Sequence, residues 1–454
     1  MGWKEIYESR LMTGPEAVKL IQDGDDVVLS HCINEPEYVI DCMVKNHDQY
    51  KGVKIHHMVS NGPGEYVKPE YADNFFTEVW FGAGNSRKAI AAGNGDIIPV
   101  YFYEIPILMR KGIINVDVLL LQVSPPDKYG KVSTGISADY TVQALKSART
   151  VIAQVNNNIP FTYGDAVFDV SEIDAFVEHD EDLFELPAAK IGPTEEAIGK
   201  YCAELVEDGD CLQLGIGAIP DAVCHELGNK KHLGIHSEML GDGPIFLYEQ
   251  GAIDGAEKDI DKNKMVFNFA MGSKKTYEFL DHNTDCLMKT VDYVNHPMVV
   301  CQNRNNVSIN SAIEIDFYGQ VAADMIGYRQ FSGVGGQVDF IRGAQMAENG
   351  RAIIAMSSVT VKKDGTKLSK IKPLLAEGAC VTTNRYDVDY VVTEYGIARM
   401  KGVATRERAK ALIKIAHPDF REELIESFNN MFPEKITLED LGLEAEAKAE
   451  EDEK

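Results

Sequence analysis

The chain has 454 residues, of which 44% are hydrophobic, 9% aromatic and 26% charged, the balance of a folded globular protein and not of a disordered one. Its 71 Asp and Glu against 45 Lys and Arg give a formal charge of -26, which argues against nucleic acid and anionic membrane surfaces as partners. An anionic small molecule stays compatible with that charge, because a local basic pocket overrides a field screened over roughly 10 Å.

The length exceeds the usual size of one core and predicts two domains. The eight cysteines are scattered, with no C-x-x-C pair and no disulfide-framework spacing, so reduced thiols in a cytoplasm are expected. Residues 1–7, MGWKEIY, lack the apolar core of a signal peptide, and no run approaches the ~20 apolar residues of a membrane span.

In chain order, Asp23-Gly24-Asp25 opens a strand-like run through Val27, Val28 and Leu29, and Pro36 begins a helical segment containing Val39 and Ile40. Val53-Lys54-Ile55-His56-His57-Met58 is a second apolar run. Asp127-Lys128-Tyr129-Gly130-Lys131-Val132 reads as a turn, and Arg149-Thr150-Val151-Ile152-Ala153 as a buried strand after a turn. The acidic segment 178–182, followed by Pro187 and Pro193, reads as the linker and puts a domain boundary near 188. A helix is predicted over 194–206.

The pattern then repeats. Asp208-Gly209-Asp210 opens the strand-like run Cys211 to Leu214, followed by the turn Gly215-Ile216-Gly217-Ala218-Ile219-Pro220 and a helix through Ala222, Val223 and Leu227. Leu233 to Ser237 matches 53–57, but it ends in Glu238 where the first half has Met58. Downstream, Asp316-Phe317-Tyr318-Gly319-Gln320-Val321 echoes 127–132, and Arg351-Ala352-Ile353-Ile354-Ala355 echoes 149–153. Runs alternating with helices such as 405–415 predict an α/β fold of two similar open domains with mainly parallel sheets, pseudo-symmetric. The expected divisions are 1–188, 189–435 and a charged tail, 436–454.

Several motifs carry chemistry. The 215–220 turn superficially matches a dinucleotide fingerprint, but the third glycine is missing and Pro220 occupies the helix start. Backbone N–H groups at Gly215 and Gly217 could seat a carboxylate or an oxyanion, or simply make a tight connection. The loop Ser332-Gly333-Val334-Gly335-Gly336-Gln337 lets backbone approach a ligand. Asn295-His296-Pro297, set between segments read as strands near Tyr293 and at 298–301, offers an amide to a carboxylate or marks a turn. The hairpin 359–372 turns at Asp364-Gly365 and is the most basic stretch; Lys362, Lys363 and Lys370 could meet phosphates, or the hairpin is merely solvated. The histidines show no H-E-x-x-H and no cysteine-rich neighbourhood, so no metal is expected. With no G-x-S-x-G and no activated cysteine, Glu238 is left as the candidate nucleophile.

His236-Ser237-Glu238-Met239, Asn295-His296-Pro297, 332–337 and Val392-Thr393-Glu394-Tyr395-Gly396, in that order, resemble the class I coenzyme A transferases, and within them the acetyl-CoA hydrolase/transferase group. Ser30 to Pro36, Gly64-Glu65-Tyr66, Lys68 to Tyr71 and Ile415 to Phe420 resemble the branch acting on 4-hydroxybutyrate. The resemblance covers residues 3 to 430. It implies an active site between the domains, Glu238 as covalent nucleophile, Asn295 as its holder, and an oxyanion site at the Gly335 and Gly336 backbone. It also implies coenzyme A as substrate with no prosthetic group, acyl-CoA and short-chain carboxylic acids as ligands, and a homo-oligomer, dimer or tetramer. His31 and Gln213 are placed at the acid, with Gly215, Gly217, Ser332, Gly333 and Gln337 around the substrate. A butyryl-CoA:acetate CoA-transferase, an acyl-CoA hydrolase and a catalytically silent acyl-CoA or sugar-phosphate sensor are the alternatives.

Overall fold

The computed structural model describes residues 2–443. Two open sheets carry the chain. The first holds seven parallel strands in the spatial order Gly95–Ile97, Phe75–Val79, Val53–His57, Asp26–Leu29, Val118–Val123, Thr150–Val155 and Ala175–Glu178. The second runs Gly234–Ile235, Cys211–Leu214, Asn306–Asn310, Arg351–Ala355, Tyr390–Thr393 and Gly396–Arg399, parallel except for the last strand. Parallel strands are covered on both faces, and Val118–Val123 is buried at every residue. Among the described residues no helix is long and apolar enough to cross a membrane.

The sequence echoes are structural repeats, and each explains another. Asp25 takes a bidentate bond from Arg149, at 3.1 and 2.8 Å, while Asp210 takes a 2.5 Å bond from Arg351. The two Asp-Gly-Asp turns therefore need the two later arginines. Gly24 donates to the Lys51 carbonyl and Gly209 to that of Lys231, both at 2.9 Å. In each half a tight turn is closed by one aspartate: Asp127 Oδ1 accepts from the backbone of Tyr129 and Lys131, and Asp316 Oδ1 from that of Tyr318 and Gln320. Gly130 and Gly319 turn the corner at φ 79° and 86°, where only glycine is unstrained.

Strand register fixes the functional asymmetry. Asp26 pairs with Lys54 and Cys211 with Gly234, so counting on by the period of two puts Met58 and Glu238 at equivalent positions past their strands. Both lie where chain leaves the carboxyl ends of the strands, each on the strand next to Asp26–Leu29 or Cys211–Leu214, at the end of the sheet where ligands bind in open α/β folds.

The halves share one apolar core, in which Leu119, Tyr140 and Phe176 belong to the same cluster as Leu212, Phe269 and Met288. They are also stitched through backbone: Ala138 donates to the Asn268 carbonyl and Ala270 to that of Ile136. At Gly164, φ 109°, a Cβ would sit 2.1 Å from the Met288 carbonyl oxygen, so only glycine permits that crossing. Residues 179–191 contain no helix or strand, and Leu186 donates to Gly272 in the second half. Past 436, Ile436, Leu441 and Leu443 are buried in a second cluster, so the expected tail begins with packed chain; 444–454 lie outside the described residues.

Candidate active site

Glu238 is held from three directions. Its backbone carbonyl accepts from Asn268 N at 3.1 Å and Phe269 N at 3.2 Å. Its Oε2 accepts from Asn295 Nδ2 at 2.7 Å, and the Gly336 backbone lies against the same carboxyl group. The Asn295 amide is oriented in turn, because Asn268 Nδ2 donates to its Oδ1 at 2.8 Å and leaves Nδ2 for the glutamate. Neither segment flanking Asn295 is the strand that its apolar residues suggested. Val291–Val294 and Pro297–Val300 are helical turns: Pro297 occupies a first-turn position, where its missing N–H costs nothing, and the His296 ring accepts from Met298 N at 3.2 Å.

The glycine loop meets Glu238 as the sequence required, for two different reasons. Gly335 has φ 55°, a left-handed conformation that favours glycine. Gly336, at φ -97°, needs glycine for space alone: a Cβ there would lie 1.9 Å from Glu238 Oε2 and 2.2 Å from Asn295 Nδ2. Gly336 also caps the helix Gln337–Met346, so its N–H carries the positive end of the helix dipole toward the carboxylate.

Opposing effects set the charge of Glu238. Burial pushes its pKa up to about 7; the Asn295 bond, the His31 ring and the Gly336 N–H pull it down, while Asp139 pushes it up. Its side chain keeps partial access to solvent, so a small substrate has a way in. The outcome is a carboxylate close to half-ionised near neutral pH and more basic than an exposed one, as suits a nucleophile.

The first half supplies His31. It is buried, with Nδ1 2.8 Å from Asp139 Oδ2 and its ring 4.4 Å from that of Phe269. Asp139 is itself fixed by Ser137 and Thr141, and His31 Nε2 has no partner. Gln213 lies on the strand Cys211–Leu214 of the second half, its Oε1 accepting from Asn310 at 3.1 Å. Gly217, at φ 108°, caps the helix Ala218–Glu226, and nothing lies within 4 Å of the position a Cβ would take there; at Gly215 only Pro220 comes that near. Open space therefore adjoins this turn.

The remaining candidates sit further out. Ser332 Oγ bonds to the carbonyl of Gly333 in its own loop and to that of Ala323 before it; Gln337 donates to Thr383 Oγ1 at 3.3 Å. Gly333 presses on the Trp80 carbonyl of the first half, 2.4 Å from where a Cβ would be. These three residues shape the loop that brings Gly336 to Glu238. Lys362 and Lys363 are exposed at the turn between Val359–Val361 and Lys367–Ser369, and Lys370 is half-buried, its pKa lowered by burial against the opposing pull of Glu394.

Sequence reasoning passed over Asn268, which orients Asn295, and Asp339, whose Oδ2 lies 3.5 Å from Asn295 Nδ2. A polar residue alone between Phe267 and Phe269 was the available signal for Asn268.

Comparison with known proteins identifies the family. The family model for the acetyl-CoA hydrolase/transferase N-terminal domain matches residues 1–186, and that for the C-terminal domain matches 272–428. The chain is 50% identical to a 4-hydroxybutyrate coenzyme A transferase of Clostridium kluyveri, over 95% of this chain and 100% of that one. It is 36% identical to a butyryl-CoA:acetate CoA-transferase of Anaerostipes caccae, over 94% and 97%. The crystal structure of a 4-hydroxybutyrate CoA-transferase from Porphyromonas gingivalis superposes with a TM-score of 0.81 at 36% identity, covering 95% of this chain and 100% of that one. Glu238 lies between the two matched models, in a stretch the full-length relatives span. On this evidence the chain belongs to the acetyl-CoA hydrolase/transferase family.

Proposed function

We propose that the protein moves coenzyme A between a short-chain acyl-CoA and a carboxylic acid, with 4-hydroxybutyrate and acetyl-CoA or butyryl-CoA as the physiological substrates. The observation that carries this reading is the carboxyl group of Glu238, held by Asn295 and by Gly336, where a Cβ would collide with it.

Glu238 attacks the thioester carbonyl of the acyl-CoA, and the tetrahedral oxyanion is stabilised by a backbone N–H of the glycine loop. The C–S bond breaks to give an acyl-glutamyl anhydride and CoA thiolate. The thiolate attacks the Glu238 carbonyl, the first acid leaves as its carboxylate, and a glutamyl-CoA thioester remains. The incoming acid reverses both steps. Activation passes from one ester to another, so ATP is not needed, and the kinetics are ping-pong.

Water reaching either intermediate dissipates the activation, so the shared apolar core around the site separates a transferase from a hydrolase. His31 and Gln213, one from each half, face the acid, where a 4-hydroxyl finds hydrogen-bonding partners; Lys362 and Lys363 offer exposed charge to the CoA phosphates. The test is incubation with butyryl-CoA with and without acetate. Acetate-dependent formation of acetyl-CoA supports the reading, while thiol release independent of acetate makes the protein a hydrolase.

A further inference from the structure

Asp339 is the third residue of the helix Gln337–Met346 and is 1% exposed. Its Oδ2 accepts from Tyr103 N of the first half at 3.3 Å and lies 3.5 Å from Asn295 Nδ2, while Oδ1 has no partner. The Asn295 amide thus directs one N–H to Glu238 at 2.7 Å and the other toward Asp339. The helix that presents the Gly336 N–H to Glu238 also presents this carboxyl group to the glutamate's amide clamp. We propose that Asp339 is a positioning residue for the reaction, a neutral carboxylic acid that sets the angle of the Asn295 amide and so the aim of Glu238.

The neutral form follows from the surroundings. A desolvated carboxylate with one empty oxygen is far costlier than a neutral acid in the same place, and a second carboxylate across one amide from Glu238 adds repulsion. The groups facing Asp339 are Glu238, the Tyr103 backbone and Glu104. Arg342, further along the same helix, is engaged by Asp387 at 3.1 Å. Burial first, and then Glu238, hold the Asp339 pKa well above the carboxylate range. A neutral Asp339 keeps its charge out of the titration of Glu238, leaving the glutamate as the group that ionises near neutrality.

The proposal rests on the transferase reading, so wild-type transfer and its covalent form on Glu238 are measured first; their absence removes that reading and is recognisable as such. Asp339→Asn reproduces the acceptor and donor pattern of the neutral acid. It is expected to keep kcat within about threefold and to leave the ascending pH limb of kcat/KM for acyl-CoA within about 0.3 unit of wild type. Asp339→Ala is expected to lower kcat at least about 30-fold with the acyl-CoA KM little changed, since the misaimed group is the nucleophile. An Asn variant as damaged as the Ala variant, or one whose pH limb drops by about one unit, overturns the neutral acid. An Ala variant within about threefold of wild type overturns the positioning role. Should the Ala variant not fold, the Asn variant's rate and pH limb decide alone.

Discussion

Replacing Gly336 by Ala isolates the geometry of the proposed nucleophile. The backbone there has φ -97°, a negative value open to alanine, so the substitution adds no left-handed strain. The added Cβ would lie 1.9 Å from Glu238 Oε2 and 2.2 Å from Asn295 Nδ2, and ordinary contact requires the carboxylate to retreat by about 1.5 Å. Misplacement by about 1 Å costs on the order of 100-fold in rate, and the 2.7 Å Asn295 bond is lost with it. Transfer from acetyl-CoA to butyrate, followed by separating the CoA esters, should fall by about 100- to 1,000-fold. Stability should drop by only about 1–3 kcal/mol, the usual effect of one extra carbon in a packed site. A variant that transfers CoA within about threefold of wild type would refute the reasoning, because Glu238 could then not be the group that the Cβ displaces.

The raised pKa of Glu238, about 7 against 4.5, makes two further predictions. In the proposed mechanism the carboxylate is the nucleophile, so kcat/KM for acyl-CoA should rise with pH through an ascending limb near 7; a limb near 4.5 would contradict the burial argument. The folded protein also binds this proton more tightly than the unfolded chain, so stability contributed by the neutral carboxyl is complete below pH 4.5 and is lost as pH rises through 7. Glu238→Gln should therefore be more stable than wild type at pH 8 by about 3 kcal/mol at most, and indistinguishable from it at pH 4; thermal unfolding at the two pH values measures the difference. Asn268→Leu removes the donor that orients Asn295 and should cut transfer by about tenfold or more while keeping the fold; an unchanged rate would show that Asn295 needs no such support. Gln213→Ala should change the preference between 4-hydroxybutyrate and butyrate, read from competing acids, and unchanged selectivity would count against a role at the acid.

Glu238 was legible because duplication supplied its own control: the same strand ends in Met58 in one half and in a carboxylate in the other. The 359–372 hairpin was legible because Asp364-Gly365 has few alternatives; Gly365 sits at φ 85°. The segments around Asn295 were not, since four- or five-residue apolar runs suit a strand or a buried helical turn equally until Pro297 and the His296 cap decide. Asp25 with Arg149 and Asp210 with Arg351 lie 124 and 141 residues apart; the sequence showed them as separate echoes, and only the strand order joins them. Asn268 and Asp339 act through neighbours brought from distant segments, which no local pattern encodes.

The central claim is a covalent bond between Glu238 and coenzyme A. Protein incubated with acyl-CoA in the absence of acceptor acid, digested and weighed by mass spectrometry, should carry the mass of CoA less water on the peptide containing Glu238, and borohydride or hydroxylamine should convert that same residue. Efficient transfer with no adduct on that peptide, or with an adduct on a different one, would contradict the account.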